Sequence, residues 1–98
     1  MQKYETDNII IVIPAYNPSA VLLELIAGLQ EIGIQNIVCV NDGSTSSGTV
    51  FEKIESDFNT GGGYLLKHAV NFGKGIALKT AFNYILNYLP GKSIVITM

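Results

Sequence analysis

Apolar residues follow two alternating patterns along the chain, and these patterns predict alternating strands and helices. Unbroken apolar runs are typical of strands that are buried on both faces of a parallel sheet. The predicted strands cover residues 9–13, 37–40, 64–67 and 93–97. Between them, apolar residues recur at helical spacing. The order β-α-β-α-β-α-β with short connections predicts an α/β fold: an open, mostly parallel sheet with right-handed crossovers and helices on both faces.

Each of the three predicted helices has an apolar face, and the first two have candidate caps. Asn17 can cap the first helix, with Pro18 at its first position and Gly33 at its end. Ser44 and Thr45 can cap the second helix, which is predicted to cover residues from about 47 to 58. The third is predicted over 75–88. The predicted apolar faces are Leu22, Leu25, Ile26, Leu29 and Ile32 in the first helix, Val50, Phe51, Ile54 and Phe58 in the second, and Leu78, Ala81, Phe82, Ile85 and Leu89 in the third.

Composition narrows the function classes. The 98 residues are 48% hydrophobic and 14% charged, which is typical of a folded domain rather than a disordered chain. The six basic residues are scattered lysines and the net charge is −2, so no nucleic-acid partner is expected. No apolar run approaches the ~20 residues that cross a membrane. The single cysteine, Cys39, lies in a predicted strand, where a core-packing role is expected; its lack of a disulfide partner fits a reducing compartment.

Three predicted loops meet at the carboxyl ends of the strands, where open α/β sheets bind their ligands. They cover residues 14–18, 41–46 and 68–75. The Asp42 carboxylate is suited to accept hydrogen bonds from the hydroxyl or imide groups of a ligand, and the alternative is a turn-forming role. Tyr16, in a loop bracketed by two prolines, can either stack on a nucleobase or pack against its own loop.

The stretch Gly73-Lys74-Gly75 is the second candidate binding element. A lysine at a helix N-terminus opposes the helix dipole unless an anion is nearby, and flanking glycines let the backbone approach a ligand closely. The stretch therefore suggests contact with a nucleotide or its diphosphate, the alternative being a solvated lysine in a turn. The spacing fits neither a P-loop nor a dinucleotide fingerprint.

Two further polar residues of this loop are predicted to have no direct chemical role. His68, the single histidine, has no metal-ligand partner at a suitable spacing and is predicted to be a loop residue rather than a ligand or a base. Asn71 is predicted to cap a helix or to brace its own loop. The residues thus indicate a binding site without catalytic machinery.

Three motifs in register resemble the inverting glycosyltransferases of family 2, which have the GT-A fold. They are Ile-Pro-Ala-Tyr-Asn at 13–17, Val-Asn-Asp-Gly-Ser-Thr at 40–45 and Asn-Phe-Gly-Lys-Gly-Ile-Ala-Leu at 71–78. The chain is most similar to bacterial cell-surface sugar transferases and dolichyl-phosphate sugar synthases. It departs from many members at Ser46, where they have Asp. The resemblance implies the sheet order 3-2-1-4 and sugar transfer with inversion to an acceptor hydroxyl or lipid phosphate, in cell-surface polysaccharide or glycolipid synthesis.

The resemblance also implies roles for individual residues. Tyr16 is expected to stack on or border the base, and Asp42 to hold the base or ribose by hydrogen bonds. Gly73 and Lys74 are expected to border the nucleotide. The complete predicted nucleotide-sugar site is Pro14, Ala15, Tyr16, Asp42, Gly43, Gly73 and Lys74.

As a domain, residues 1–98 are expected to be the amino-terminal, nucleotide-sugar-binding part of a GT-A domain, ending before the Asp-x-Asp metal-binding motif. That motif is expected just beyond Met98, so the 98 residues should contain no metal ligand or catalytic residue and be inactive alone. The intact enzyme is expected to use Mg²⁺ or Mn²⁺, with a UDP-sugar as the first choice of donor and a GDP-sugar as the second.

The sequence also raises expectations about cellular location and self-association. A cytoplasmic location is expected, or one at the cytoplasmic face of a membrane. The uncharged edge of the fourth strand, from Ser93 to Met98, is expected to pair with a second copy of the chain, as a dimer. A non-catalytic nucleotide-binding or assembly module is the alternative function.

Overall fold

The computed structural model describes residues 8–89, 91 and 94–97, and for 94–97 it describes the backbone alone. The predicted strand ends Ser93 and Met98 lie outside the described residues. Within the described residues four strands alternate with three helices, as the hydrophobic pattern predicts. The strands are β1 (Ile9–Ala15), β2 (Ile37–Asp42), β3 (Tyr64–His68) and β4 (Ile94–Thr97), and the helices are α1 (Val21–Glu31), α2 (Gly48–Gly61) and α3 (Lys74–Tyr88).

The four strands form one sheet in the order β3-β2-β1-β4. All three pairings are parallel, and each crossover runs through a helix. The α/β fold class is therefore confirmed, and the order found is the one that the family resemblance implies.

Alternate residues of the central strands pack on opposite faces of the sheet, which gives the molecule two apolar layers. Ile10 and Val12, for example, pack towards α3, whereas Ile11 and Ile13 pack towards α1 and α2. The fully buried Cys39 belongs to the α1 and α2 layer, and burial raises the pKa of its thiol to about 12. Cys39 is therefore a core residue, as predicted.

Two residues predicted to lie on apolar helix faces are exposed instead. Ile32 is 68% exposed because α1 ends at Glu31 and the chain has already left the helix. Phe82 is 40% exposed because α3 is buried against the sheet along Ala77, Ala81 and Ile85, a stripe that includes two of the predicted residues but runs beside Phe82. A helix that packs through alanines leaves little room beside it for a phenylalanine ring.

Three strands extend further at their carboxyl ends than the sequence predicts. Pro14 does not end β1 but pairs in register with Val40. The strand β2 continues to Asp42, which lies opposite His68 at the end of β3. This register places two polar side chains next to each other at the carboxyl edge of the sheet.

Candidate functional site

A pocket of about 230 Å³ opens at the carboxyl ends of the strands. Six of the seven predicted site residues line it, and the remaining one, Gly43, lies next to the pocket residue Asp42. Asn71 also lines the pocket, although the sequence suggested only a local role for it. The lining residues are Pro14, Ala15, Tyr16, Asp42, Asn71, Gly73 and Lys74.

Gly43 brings two of the loops into backbone contact. Its φ of +68° is in the left-handed region, and a Cβ at this position would lie only 2.1 Å from the carbonyl carbon of Val70. A residue with a side chain cannot occupy this position unless the 70–71 backbone moves. Gly43 thus allows the loop after β2 to contact the loop after β3.

The Asp42 side chain is buried, and protein donors occupy both of its carboxylate oxygens. Oδ1 accepts hydrogen bonds from the backbone N–H of Phe72 at 2.9 Å and from Nδ1 of His68 at 2.8 Å. Oδ2 accepts from the backbone N–H of Gly73 at 2.9 Å and from the side-chain amide of Asn71 at 3.2 Å. In the structure Asp42 therefore organises the loop before α3, and its hydrogen bonds to a ligand stay a prediction.

The hydrogen bonds of Asp42 also decide its charge. Burial alone would raise the pKa of this carboxyl group, because it disfavours the charged form. The backbone N–H of Phe72, the His68 ring and the backbone N–H of Gly73 outweigh burial and hold the pKa below its ordinary value. Asp42 is therefore ionised at neutral pH and gives the buried side of the pocket a negative charge.

His68 is not the loop residue that the sequence predicts. It is the last residue of β3, and its side chain is only 9% exposed. Its Nδ1 lies 2.8 Å from the Asp42 carboxylate and its Nε2 lies 2.8 Å from the hydroxyl oxygen of Thr80 on α3. The prediction failed because it ended the third strand one residue early, which concealed the pairing of His68 with Asp42.

Asn17 joins two loops instead of capping α1. The helix begins at Val21, and Asn17 takes a left-handed φ of 47°. Its Oδ1 accepts hydrogen bonds from the backbone N–H groups of Thr45 at 2.8 Å and Ser46 at 3.1 Å. Its own backbone N–H donates to the Ser44 hydroxyl at 2.9 Å. The predicted capping roles of Asn17, Ser44 and Thr45 are therefore wrong, since these groups bind each other across the two loops.

Asn71 likewise acts between loops rather than within its own. Its side-chain amide donates to the backbone carbonyl and to Oδ2 of Asp42, each at 3.2 Å. The loop before α3 is thus attached to the end of β2 both by this amide and by two of its own backbone N–H groups.

The open side of the pocket presents an aromatic ring and a cation. Tyr16 is 51% exposed. Lys74 is the first residue of α3, whose first turn contains no acidic residue and receives no side-chain cap. An anion at this end of the helix would meet both the lysine and the positive end of the helix dipole.

Neither a cluster of metal ligands nor a membrane-spanning helix is found in the described part of the chain. None of its His, Cys, Asp and Glu residues form a group of three or more that could hold a metal ion. Within the same residues, no helix has the length and hydropathy of a membrane span.

Comparisons with known proteins give a relative in sequence, a protein of similar fold and a family for this chain. The chain is 35% identical over 97 residues to the uncharacterised protein MJ1222 of Methanocaldococcus jannaschii, spanning 99% of this chain but 37% of that protein. Its fold is similar to that of the mannosyltransferase PcManGT from Pyrobaculum calidifontis, solved in complex with GDP-Man and Mn²⁺. That match has a TM-score of 0.64 and 20% identity, and covers 79% of this chain and 24% of the other. A family model for glycosyl transferase family 2 matches residues 10–89, and the chain therefore belongs to that family.

Proposed function

We propose that this chain is the amino-terminal, nucleotide-sugar-binding part of a glycosyltransferase, and that the pocket at the carboxyl ends of the strands binds the nucleoside diphosphate. The observation that carries the proposal is the convergence of three family-motif loops on one pocket. Tyr16 stacks on or borders the base, Asp42 and Gly43 lie on the base and ribose side, and Gly73 and Lys74 border the rest of the nucleotide. The protein that contains this chain transfers the sugar to an acceptor hydroxyl or lipid phosphate with inversion, in cell-surface polysaccharide or glycolipid synthesis.

For the donor, we propose a UDP-sugar first and a GDP-sugar second. PcManGT, which has a similar fold, was solved with GDP-Man, and this supports testing both bases side by side. Asp42 can contribute to the binding of either nucleotide in two ways. It can accept a hydrogen bond from the ligand after Asn71, whose bonds are the longest at 3.2 Å, has moved away. It can also act indirectly, by holding the loop that forms the wall of the pocket.

A divalent metal, Mg²⁺ or Mn²⁺, is proposed for the whole enzyme, where it would neutralise charge on the diphosphate. The described residues do not fit such a site. Asp42 is the single carboxylate among the residues that line the pocket, and its oxygens are engaged by protein donors. Hard cations need several oxygen ligands, so we place the metal ligands and the catalytic base outside the described residues. We further propose a cytoplasmic location, for which the buried free thiol of Cys39 is the support.

Replacement of Tyr16 by alanine tests the binding site. We expect the full-length protein carrying Tyr16→Ala to lose about 1–3 kcal/mol in nucleoside diphosphate affinity, since stacking on a base contributes that amount elsewhere. Isothermal titration calorimetry with UDP and with GDP, each with Mg²⁺, measures it. Tyr16→Phe keeps the ring and should bind normally. Tyr88→Ala removes a similarly exposed tyrosine that does not line the pocket, and it should also bind normally.

Unchanged affinity in Tyr16→Ala would remove Tyr16 from the site. A wild-type protein that bound nucleotide but transferred no sugar to any acceptor would favour the non-catalytic binding module.

A further inference from the structure

The His68 ring connects three parts of the candidate site. It extends from the end of the edge strand β3, and Asp42 lies opposite it in register on β2. One ring nitrogen contacts Asp42 and the other contacts Thr80 on α3, both at 2.8 Å. The ring also meets the Phe72 ring edge-on, with the two ring centroids 5.2 Å apart. His68 does not itself line the pocket, so it can influence a ligand only through these neighbours.

The partners of the ring fix its hydrogen positions. The ionised Asp42 carboxylate can only accept a hydrogen bond, so Nδ1 must carry a hydrogen. In the neutral ring Nε2 then accepts the hydrogen of the Thr80 hydroxyl, which holds the ring in this tautomer and orientation. The hydrogen bond to Asp42 is therefore preorganised by a residue of α3.

The other three donors to the Asp42 carboxylate come from residues 71–73 of a single loop. If that loop shifts when a ligand enters, all three can shift with it. His68 is the donor among the four that belongs to the sheet, and Thr80 attaches it to a packed helix. His68 can therefore keep the carboxylate in place while the loop adjusts.

We propose that His68 is a positioning residue for nucleotide binding, which fixes the Asp42 carboxylate relative to the sheet and α3 and so sets the wall of the pocket. The inference rests on the proposed function, since it assumes that a nucleotide binds beside Asp42.

Two substitutions distinguish the effects of the hydrogen bonds that the two ring nitrogens make. His68→Asn places an amide N–H near the position of Nδ1 and can keep the bond to Asp42, whereas His68→Gln places its amide near Nε2 and can keep only the bond to Thr80. We expect His68→Gln to weaken UDP or GDP binding by about tenfold or more, because a hydrogen bond to a charged group is lost. We expect His68→Asn to stay within about threefold of the wild-type affinity, as retention of that bond requires.

A second measurement needs no nucleotide. The Asp42 carboxyl carbon, followed by ¹³C NMR against pH, should titrate higher in His68→Gln than in His68→Asn, and in both higher than in wild type. Both variants lose the electrostatic effect of the ring, and only His68→Asn can keep the hydrogen bond. Urea unfolding of both variants serves as the control. A residue with only a structural role would change the affinity in proportion to the loss of stability and would not distinguish asparagine from glutamine.

Equal affinities in the two variants, or a weaker affinity in His68→Asn than in His68→Gln, would overturn the positioning role. If the wild-type protein bound neither UDP nor GDP, the proposed function would fail first, and with it the role of His68 in binding. The carboxyl titration would still show whether His68 holds Asp42.

Discussion

Replacement of Gly43 by alanine should damage both the stability of the chain and the order of the pocket. The added Cβ would lie 2.1 Å from the carbonyl carbon of Val70 and 2.3 Å from the backbone nitrogen of Asn71, whereas ordinary contact begins at 3.4 Å. These are backbone atoms, which cannot rotate away as a side chain can. The loop at residues 70–71 must therefore move by about 1 Å, or the turn at Gly43 must open.

The expected cost has two parts. Alanine at a left-handed φ costs about 1–2 kcal/mol relative to glycine. A shift of the loop also lengthens the hydrogen bonds from the N–H groups of Phe72 and Gly73 to Asp42, and a bond to a charged group contributes about 1.5–3 kcal/mol. Loss of one such bond brings the total to about 2.5–5 kcal/mol, a large fraction of the ~5–15 kcal/mol by which a small domain is stable.

Urea unfolding followed by circular dichroism measures this loss, and two other glycines supply matched controls. Gly73 also has a positive φ, +96°, with a ψ of 162°, a conformation that is adopted almost only by glycine, but nothing lies within 4 Å of the position that a Cβ would take there. Gly73→Ala should therefore cost only the backbone strain, about 1–3 kcal/mol. Gly28 lies inside α1, and a Cβ there would also meet no neighbouring atom within 4 Å. Gly28→Ala should therefore raise the free energy of unfolding by about 0.5–1 kcal/mol. If Gly43→Ala costs no more than the roughly 1–2 kcal/mol of its own backbone conformation, the close contact between the two loops does not exist.

Three further predictions concern the carboxylate, the loop bridge and the sheet edge. Because the pKa of Asp42 is lowered on folding, its stabilising effect is complete above about pH 4 and is lost as the pH falls through the folded value. Between about pH 6 and pH 3, wild type should lose more unfolding free energy than Asp42→Asn, and equal losses would contradict this. Asn17→Gly keeps the left-handed backbone but removes the bonds to Thr45 and Ser46, which should cost about 1–2 kcal/mol, whereas Asn17→Asp keeps the acceptor and most of that stability. The expected pairing of β4 with a second copy of the chain is tested by light scattering, and a chain that remains monomeric at high concentration would refute that expectation.

The fold could be predicted because its signals are local. Whether a strand is buried on both faces is visible in its own residues, as in the unbroken apolar runs of β1 and β2, and the order of strands and helices then leaves few topologies. Local periodicity is less informative about which helix stripe meets the sheet. In α3 the apolar residues are broadly distributed, and the small side chains of Ala77 and Ala81 decide the contact in place of Phe82.

The polar contacts of the site could not be predicted from single residues, because their partners are far apart in sequence. His68 and Asp42 are separated by 26 positions, and Asn17 and Thr45 by 28. A usable signal does exist for His68. In two neighbouring parallel strands, the polar residues that follow the apolar runs fall at the same edge. Alignment of Asn41-Asp42 with Lys67-His68 would therefore have placed His68 opposite Asp42. For Asn17 no such signal exists, since its contact depends on how two irregular loops fold against each other.

The turn at Asn41-Asp42-Gly43 shows why a structural role and a binding role are not alternatives here. Asn41 accepts a hydrogen bond from the Ser44 N–H at 2.9 Å and so closes its own turn. Asp42 points the other way and holds the loop before α3, while Gly43 lets that loop come close enough to be held. The three residues together convert the end of one strand into the support for a second loop. A ligand in the pocket therefore meets a wall whose position is set by this turn, and a change at any of the three positions should alter binding even where the altered side chain does not contact the ligand.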